Sequence, residues 1–88
     1  MDPNIWGPHL WFSMHTIALQ YPSEPSPAVQ DRYRQFFTSL AWVLPCDTCR
    51  EHYQQHLSRF PVDVRSKMSL TRWVLDLHNA VNSRNDKE

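Results

Sequence analysis

Eighty-eight residues fit one domain, and a chain this short buries a smaller fraction of its surface than a longer one, so packing alone gives limited stability. Nine Lys and Arg against nine Asp and Glu leave a formal net charge of +0, which excludes the basic footprint that nucleic acid or an anionic membrane surface selects. No apolar run approaches the roughly 20 residues of a bilayer span, and Met1 to Trp6 lacks the charged and then apolar regions of a secretory signal, so the cytoplasm is the expected setting.

One Gly, at position 7, and seven prolines, at 3, 8, 22, 25, 27, 45 and 61, punctuate the chain. The stretches between them read as helices. From Pro8 to Tyr21 two adjacent stripes recur at helical spacing, Leu10, Met14, Ile17 and Tyr21 beside Trp11, His15 and Ala18. They predict a first helix buried over a wide face. Pro22 to Pro27 is a loop, after which Val29, Tyr33, Phe36, Leu40 and Val43 predict a second helix that stops at Leu44, before Pro45. The third begins at Cys46 and Cys49 and runs to about Arg59, and Pro61 to Lys67 is a polar connection. Leu70, Trp73, Val74, Leu77, His78 and Val81 mark a fourth helix, which the polar Ser83 to Glu88 either extends or frays. There is no alternating strand pattern and no internal repeat. Short connections between helices of similar length favour antiparallel neighbours, so the expected fold is all-α, a single domain over 1–88 built as an up-and-down four-helix bundle. Cofactor sites in such bundles lie between facing helices.

Four Trp, three Tyr and four Phe exceed what so small a core needs, and a planar cofactor or a subunit interface would use the surplus. Phe12, Tyr33, Phe37 and Trp42 lie on the first and second helices and point to a homodimer through that face.

The two cysteines form one C-x-x-C. A bridge closing so short a loop restricts the unfolded chain little, so redox chemistry or metal binding explains the pair better than stapling. Cys46 and Cys49 follow Pro45 at a helix start, on one face and within reach of a disulfide. Unsatisfied N–H groups there favour the reactive thiolate. A thioredoxin fold shares the motif but needs strands that are missing. His52 and His56 follow, giving C-x-x-C-x-x-H-x-x-x-H, yet Cys46 to His56 spans about 15 Å along a helix against zinc bonds of about 2.0–2.3 Å. A zinc site would need a distorted helix, or His15 or His78 donated from elsewhere.

Three motifs stand in order: W-G-x-x-x-W-x-x-x-H at Trp6 to His15, P-C-x-x-C at Pro45 to Cys49, and W-x-x-x-x-H-N-x-V-N at Trp73 to Asn82. Together they resemble the Erv/ALR sulfhydryl oxidases over nearly the whole chain. The resemblance implies a four-helix bundle, usually with a short fifth helix, that holds FAD non-covalently at its mouth beside the cysteine pair. It implies that protein dithiols are oxidised through Cys46 and Cys49, with Cys49 nearest the isoalloxazine and Cys46 the outward sulfur that exchanges with substrate. Electrons would pass through FAD to oxygen, giving hydrogen peroxide. Cofactor contacts are implied for Trp6, Gly7, Trp11, His15, Trp73, His78, Asn79, Val81 and Asn82, with Tyr21 and Tyr53 near the flavin. Trp11, His15 and His78 offer stacking faces, and Asn79 and Asn82 offer amides for adenine, ribose or phosphate. Taken singly, each aromatic also suits plain core packing and each His a satisfied buried imidazole.

Where the family continues after Val81-Asn82 with an apolar residue and Gly before a Lys, this chain has Ser83-Arg84-Asn85-Asp86-Lys87. Lys87 keeps the register of a phosphate contact. A further aromatic-bearing segment is missing from the sequence, so that side of the cofactor is expected to be covered by less protein or by a partner chain. The family's shuttle pair and second disulfide have no counterpart in two cysteines, so the expected electron donor is an external protein dithiol, thioredoxin-like or a small shuttle protein. Compact forms of this kind resemble those of large DNA viruses, with the host cytoplasm or virion as setting. The expected partners are that dithiol, molecular oxygen and a second copy of the chain, without nucleic acid or membrane. The competing readings are a zinc-binding module and a helical interaction domain without catalysis.

Overall fold

The computed structural model describes residues 1–86, in which four helices follow one another: α1 (Pro3–Leu19), α2 (Pro27–Val43), α3 (Asp47–Arg59) and α4 (Lys67–Asp86). No strand and no fifth helix occur among the described residues. Lys87 lies outside them.

Each helix starts where a side chain accepts one of the backbone N–H groups that a first turn leaves unpaired. Asp2 accepts from Asn4 at 2.9 Å, Ser26 from Val29 at 3.2 Å and Ser66 from Ser69 at 3.0 Å. At α3 the acceptor is sulfur, with Cys46 Sγ taking the Cys49 N–H at 3.3 Å. Pro3 and Pro27 follow their caps in the position where a missing N–H costs nothing. α1 therefore begins at Pro3 and not at Pro8, which lies inside the helix. Either proline suits a helix start, and the Asp2 cap selects the earlier one.

α1 packs along α4 and α2 along α3. The two pairs share one core, in which Met14, Tyr21, Phe37, Leu70 and Val74 are fully buried, each contributing roughly 1.5–3 kcal/mol of transfer free energy. Both stripes predicted on α1 are buried or half-buried. On α2 the packed face is Phe37, Leu40 and Ala41, continued by Leu44, while Phe36 and Val43 are turned outward, 42% and 66% exposed. The predicted stripe and the observed one share Val29, Tyr33 and Leu40, and packing against α3 selects between two apolar faces that overlap. Phe37 is thereby spent on the core and Tyr33 on an edge contact with Tyr21, leaving Phe12 and Trp42 as the exposed members of the aromatic set expected at an interface. The connection from Pro61 carries more than polar residues: Val62 and Val64 are buried, and the Val64 carbonyl accepts the Tyr21 hydroxyl at 2.8 Å.

Candidate active site

The three-residue corner between α2 and α3 presents the cysteines. The Leu44 carbonyl accepts both the Cys46 N–H, at 2.9 Å, and the Arg50 guanidinium, which also pairs with the Asp47 carboxylate. Arg50 thus ties both sides of the corner that carries Cys46. Met1 reaches the same corner, donating its ammonium to the Pro45 carbonyl at 3.4 Å, and its own carbonyl accepts the Trp6 indole N–H at 3.3 Å. The start of α1 is therefore held against the cysteine pair.

Both cysteines are free thiols in this structure, and their environments differ. The side chains of Cys49 and then Thr48 donate to Cys46 and bring its pKa down from 9.0 to about 7. Burial, followed by the neighbouring Cys46, pushes Cys49 up to about 11. Cys49 is half-buried and packs against the core. At neutral pH the outer sulfur is the readily ionised one and the inner sulfur holds its proton.

Across the α1–α4 seam, Trp11 stacks on His78 with ring centroids 4.1 Å apart and planes 10° from parallel. His15 Nε2 lies 3.0 Å from His78 Nδ1, so one imidazole donates to the other. Burial and the adjacent His15 hold the His78 pKa below its ordinary value. Val81 is half-buried on the same helix, and Asn79 and Asn82 are exposed. Gly7 is open above its Cα: a Cβ built there meets nothing within 4 Å.

Three of the residues singled out from the sequence belong to the core. Tyr21 is 1% exposed with its hydroxyl on Val64, Tyr53 donates to the Phe37 carbonyl, and the Trp73 indole donates to the Phe60 carbonyl at 2.9 Å. Trp73 also packs edge-on against Phe37, Tyr53 and His56. They shape the bundle from inside. Two residues that the sequence reading passed over touch the cysteine corner. Thr48 Oγ1 lies 3.3 Å from Cys46 Sγ, and Arg50 clamps the turn. A Thr two places after a helix-capping residue, and an Asp three before an Arg, were the available signals.

A groove of about 730 Å³ runs between α3 and α4, lined by His56, Arg59, Phe60, Trp73, Asp76 and Arg84 among others. His56 Nε2 is buried beside it with no hydrogen-bond partner among the described residues. The groove shares only Trp73 with the motif residues and does not include the cysteines, and thiol chemistry requires contact with the sulfurs. No three His, Cys, Asp or Glu side chains converge as metal ligands among the described residues.

The Erv1 / Alr family profile matches residues 8–88. A protein of Acanthamoeba polyphaga mimivirus, named a probable FAD-linked sulfhydryl oxidase, is 40% identical over 85 residues, which make up 93% of this chain and 59% of that protein. A protein of Invertebrate iridescent virus 6, provisionally given the same name, is 36% identical over 91 residues, or 96% of this chain and 82% of the relative. The crystal structure of the FAD binding domain of Erv1 from Saccharomyces cerevisiae superposes with a TM-score of 0.94 at 27% identity, over 98% of this chain and 82% of that one. With sequence matched over residues 8–88 and structure over almost the whole chain, the protein belongs to the Erv1 / Alr family.

Proposed function

We propose that this chain is an FAD-linked sulfhydryl oxidase, a single domain that converts protein dithiols to disulfides through Cys46 and Cys49. The carrying observation is the corner itself: an accessible, easily ionised Cys46 and an inner Cys49, with the start of α1 held against them and its aromatic face leading to His78. Names of relatives support the same reading.

The residues fit a planar cofactor. Trp11 and His78 already form a flat, parallel pair, and Gly7 leaves open space above the backbone of α1. Trp6, Gly7, Trp11, His15 and His78 would hold the ring systems, with Val81, Asn79 and Asn82 along α4, while Tyr21, Tyr53 and Trp73 fix the wall behind them. When bound, FAD would supply a two-electron acceptor for the reduced pair, with oxygen as the proposed final acceptor and hydrogen peroxide as the product. In the protein's own part, Cys46 exchanges with the substrate sulfur and Cys49 takes the inner position.

The proposed donor is an external protein dithiol, thioredoxin-like or a small shuttle protein. The proposed assembly is a homodimer through the exposed apolar residues of α1 and α2, among them Phe12 and Trp42 at 74% and 63% exposed. No described helix is long and apolar enough to cross a membrane, and the viral relatives suggest the host cytoplasm or virion as setting.

Purified protein should be yellow, release free FAD on denaturation and consume oxygen with dithiothreitol, with turnover lost in both Cys46→Ser and Cys49→Ser. A colourless protein that neither binds added FAD nor oxidises dithiols would overturn the reading.

A further inference from the structure

The proposed reaction makes a demand on Cys46 that resting geometry already meets. A substrate thiolate attacks Cys46 Sγ of the Cys46–Cys49 disulfide, the S–S bond breaks, and Cys49 leaves as thiolate. The second substrate thiolate then attacks the substrate sulfur of the mixed disulfide, and Cys46 leaves as thiolate. The substrate has lost two electrons and two protons, and the pair has gained two electrons, with protons exchanged through water. In that second exchange the rate depends on how well Cys46 carries negative charge, because a more acidic thiol leaves faster.

Beside the Cys49 side chain, two groups lie on this sulfur, each at 3.3 Å: the Cys49 backbone N–H and the Thr48 hydroxyl, which donates once Cys46 is a thiolate. The N–H is fixed by the helix, whereas the hydroxyl is a side-chain choice. We infer that Thr48 is a further catalytic residue, donating its hydroxyl to the departing Cys46 thiolate, an inference that rests on the oxidase reading. Thr48 is exposed in the first turn of α3 and is not among the core residues.

The surroundings leave this role to a neutral donor. On α3 the adjacent Asp47 carboxylate, which would oppose a thiolate, is paired with Arg50, and Cys49 is the other ionisable neighbour. From the segment ahead of α1 the Met1 ammonium is committed to the Pro45 carbonyl, and α2 ends in the uncharged Trp42, Val43 and Leu44. The acidity of Cys46 agrees with this arrangement: hydrogen bonding from the Cys49 side chain is the first of its causes and hydrogen bonding from Thr48 the second.

The test is the pH profile of Cys46 carbamidomethylation by iodoacetamide in the reduced protein, located by mass spectrometry, in wild type, Thr48→Val and Thr48→Ser. Thr48→Val keeps the shape and removes the hydroxyl. It should raise the midpoint by roughly one pH unit, a tenfold fall in thiolate at lower pH, and Thr48→Ser should restore it. With dithiothreitol as substrate, kcat should fall several-fold in Thr48→Val while thermal melting stays within a few degrees. An unchanged midpoint in Thr48→Val overturns the inference, as does a Thr48→Ser profile that follows the Val variant. Failure of the oxidase reading would be separate, appearing as a wild-type protein without flavin or turnover.

Discussion

Tyr21 and Gly7 illustrate how differently two motif-derived residues act. Removing the Tyr21 hydroxyl strands a buried Val64 carbonyl, so Tyr21→Phe should cost about 1–2 kcal/mol of stability, read as a lower urea midpoint at unchanged slope. At Gly7 nothing in the chain meets a methyl group, and Ala is the better helix former by up to about 1 kcal/mol. Gly7→Ala should therefore stabilise the FAD-free protein while weakening FAD affinity; a rise in both would mean that the cofactor does not approach this backbone. His78 links residue chemistry to pH. Burial and His15 keep its folded pKa below the ordinary 6.5, as burial does for His56, so the unfolded chain binds these protons first as pH falls. Stability of the FAD-free protein should be full above about pH 6.5 and decline below it, and His78→Gln should flatten part of that decline in urea titrations between pH 7 and 5.

At the scale of elements, helix periodicity and proline placement made the four helices and their order legible, because caps and breakers act locally. Two choices were not legible. α2 offers overlapping apolar faces, and only contact with α3 decides that Phe37 goes inside and Phe36 outside. The 61–66 connection reads as polar by composition, yet Val62 and Val64 fill the core from a segment without periodicity. Val64→Ala should thus cost roughly 2 kcal/mol, as a core position does, where an ordinary loop position would cost under about 0.5 kcal/mol. At the candidate site, the motifs marked Trp11, His15 and His78 as cofactor candidates, while their contact with one another across α1 and α4 comes from the packing of the two helices. They could not mark Thr48 and Arg50, whose importance comes from where a three-residue corner aims a sulfur.

The whole molecule consists of two helix pairs, one carrying the cysteines and one carrying the Trp11–His78 stack. A cofactor touching both binds only when they are joined, and FAD at 100 times its Kd should add about 2.7 kcal/mol, visible as a melting temperature raised by roughly 10 °C or more. Equal melting with and without FAD would contradict this. Sedimentation equilibrium should give about twice the 10.5 kDa chain mass at micromolar concentrations, with Phe12→Glu shifting it toward monomer; a wild-type mass near one chain would exclude the proposed dimer. The pairing also sets a timetable for self-assembly. α2 and α3 are joined by a three-residue corner, whereas His15 and His78 lie 63 positions apart, so closing the second pair carries the larger entropy of loop closure and is expected later. During refolding, helical circular dichroism and Cys46 reactivity should therefore develop ahead of flavin fluorescence quenching: the nascent chain acquires a reactive sulfur before it acquires a grip on its electron acceptor.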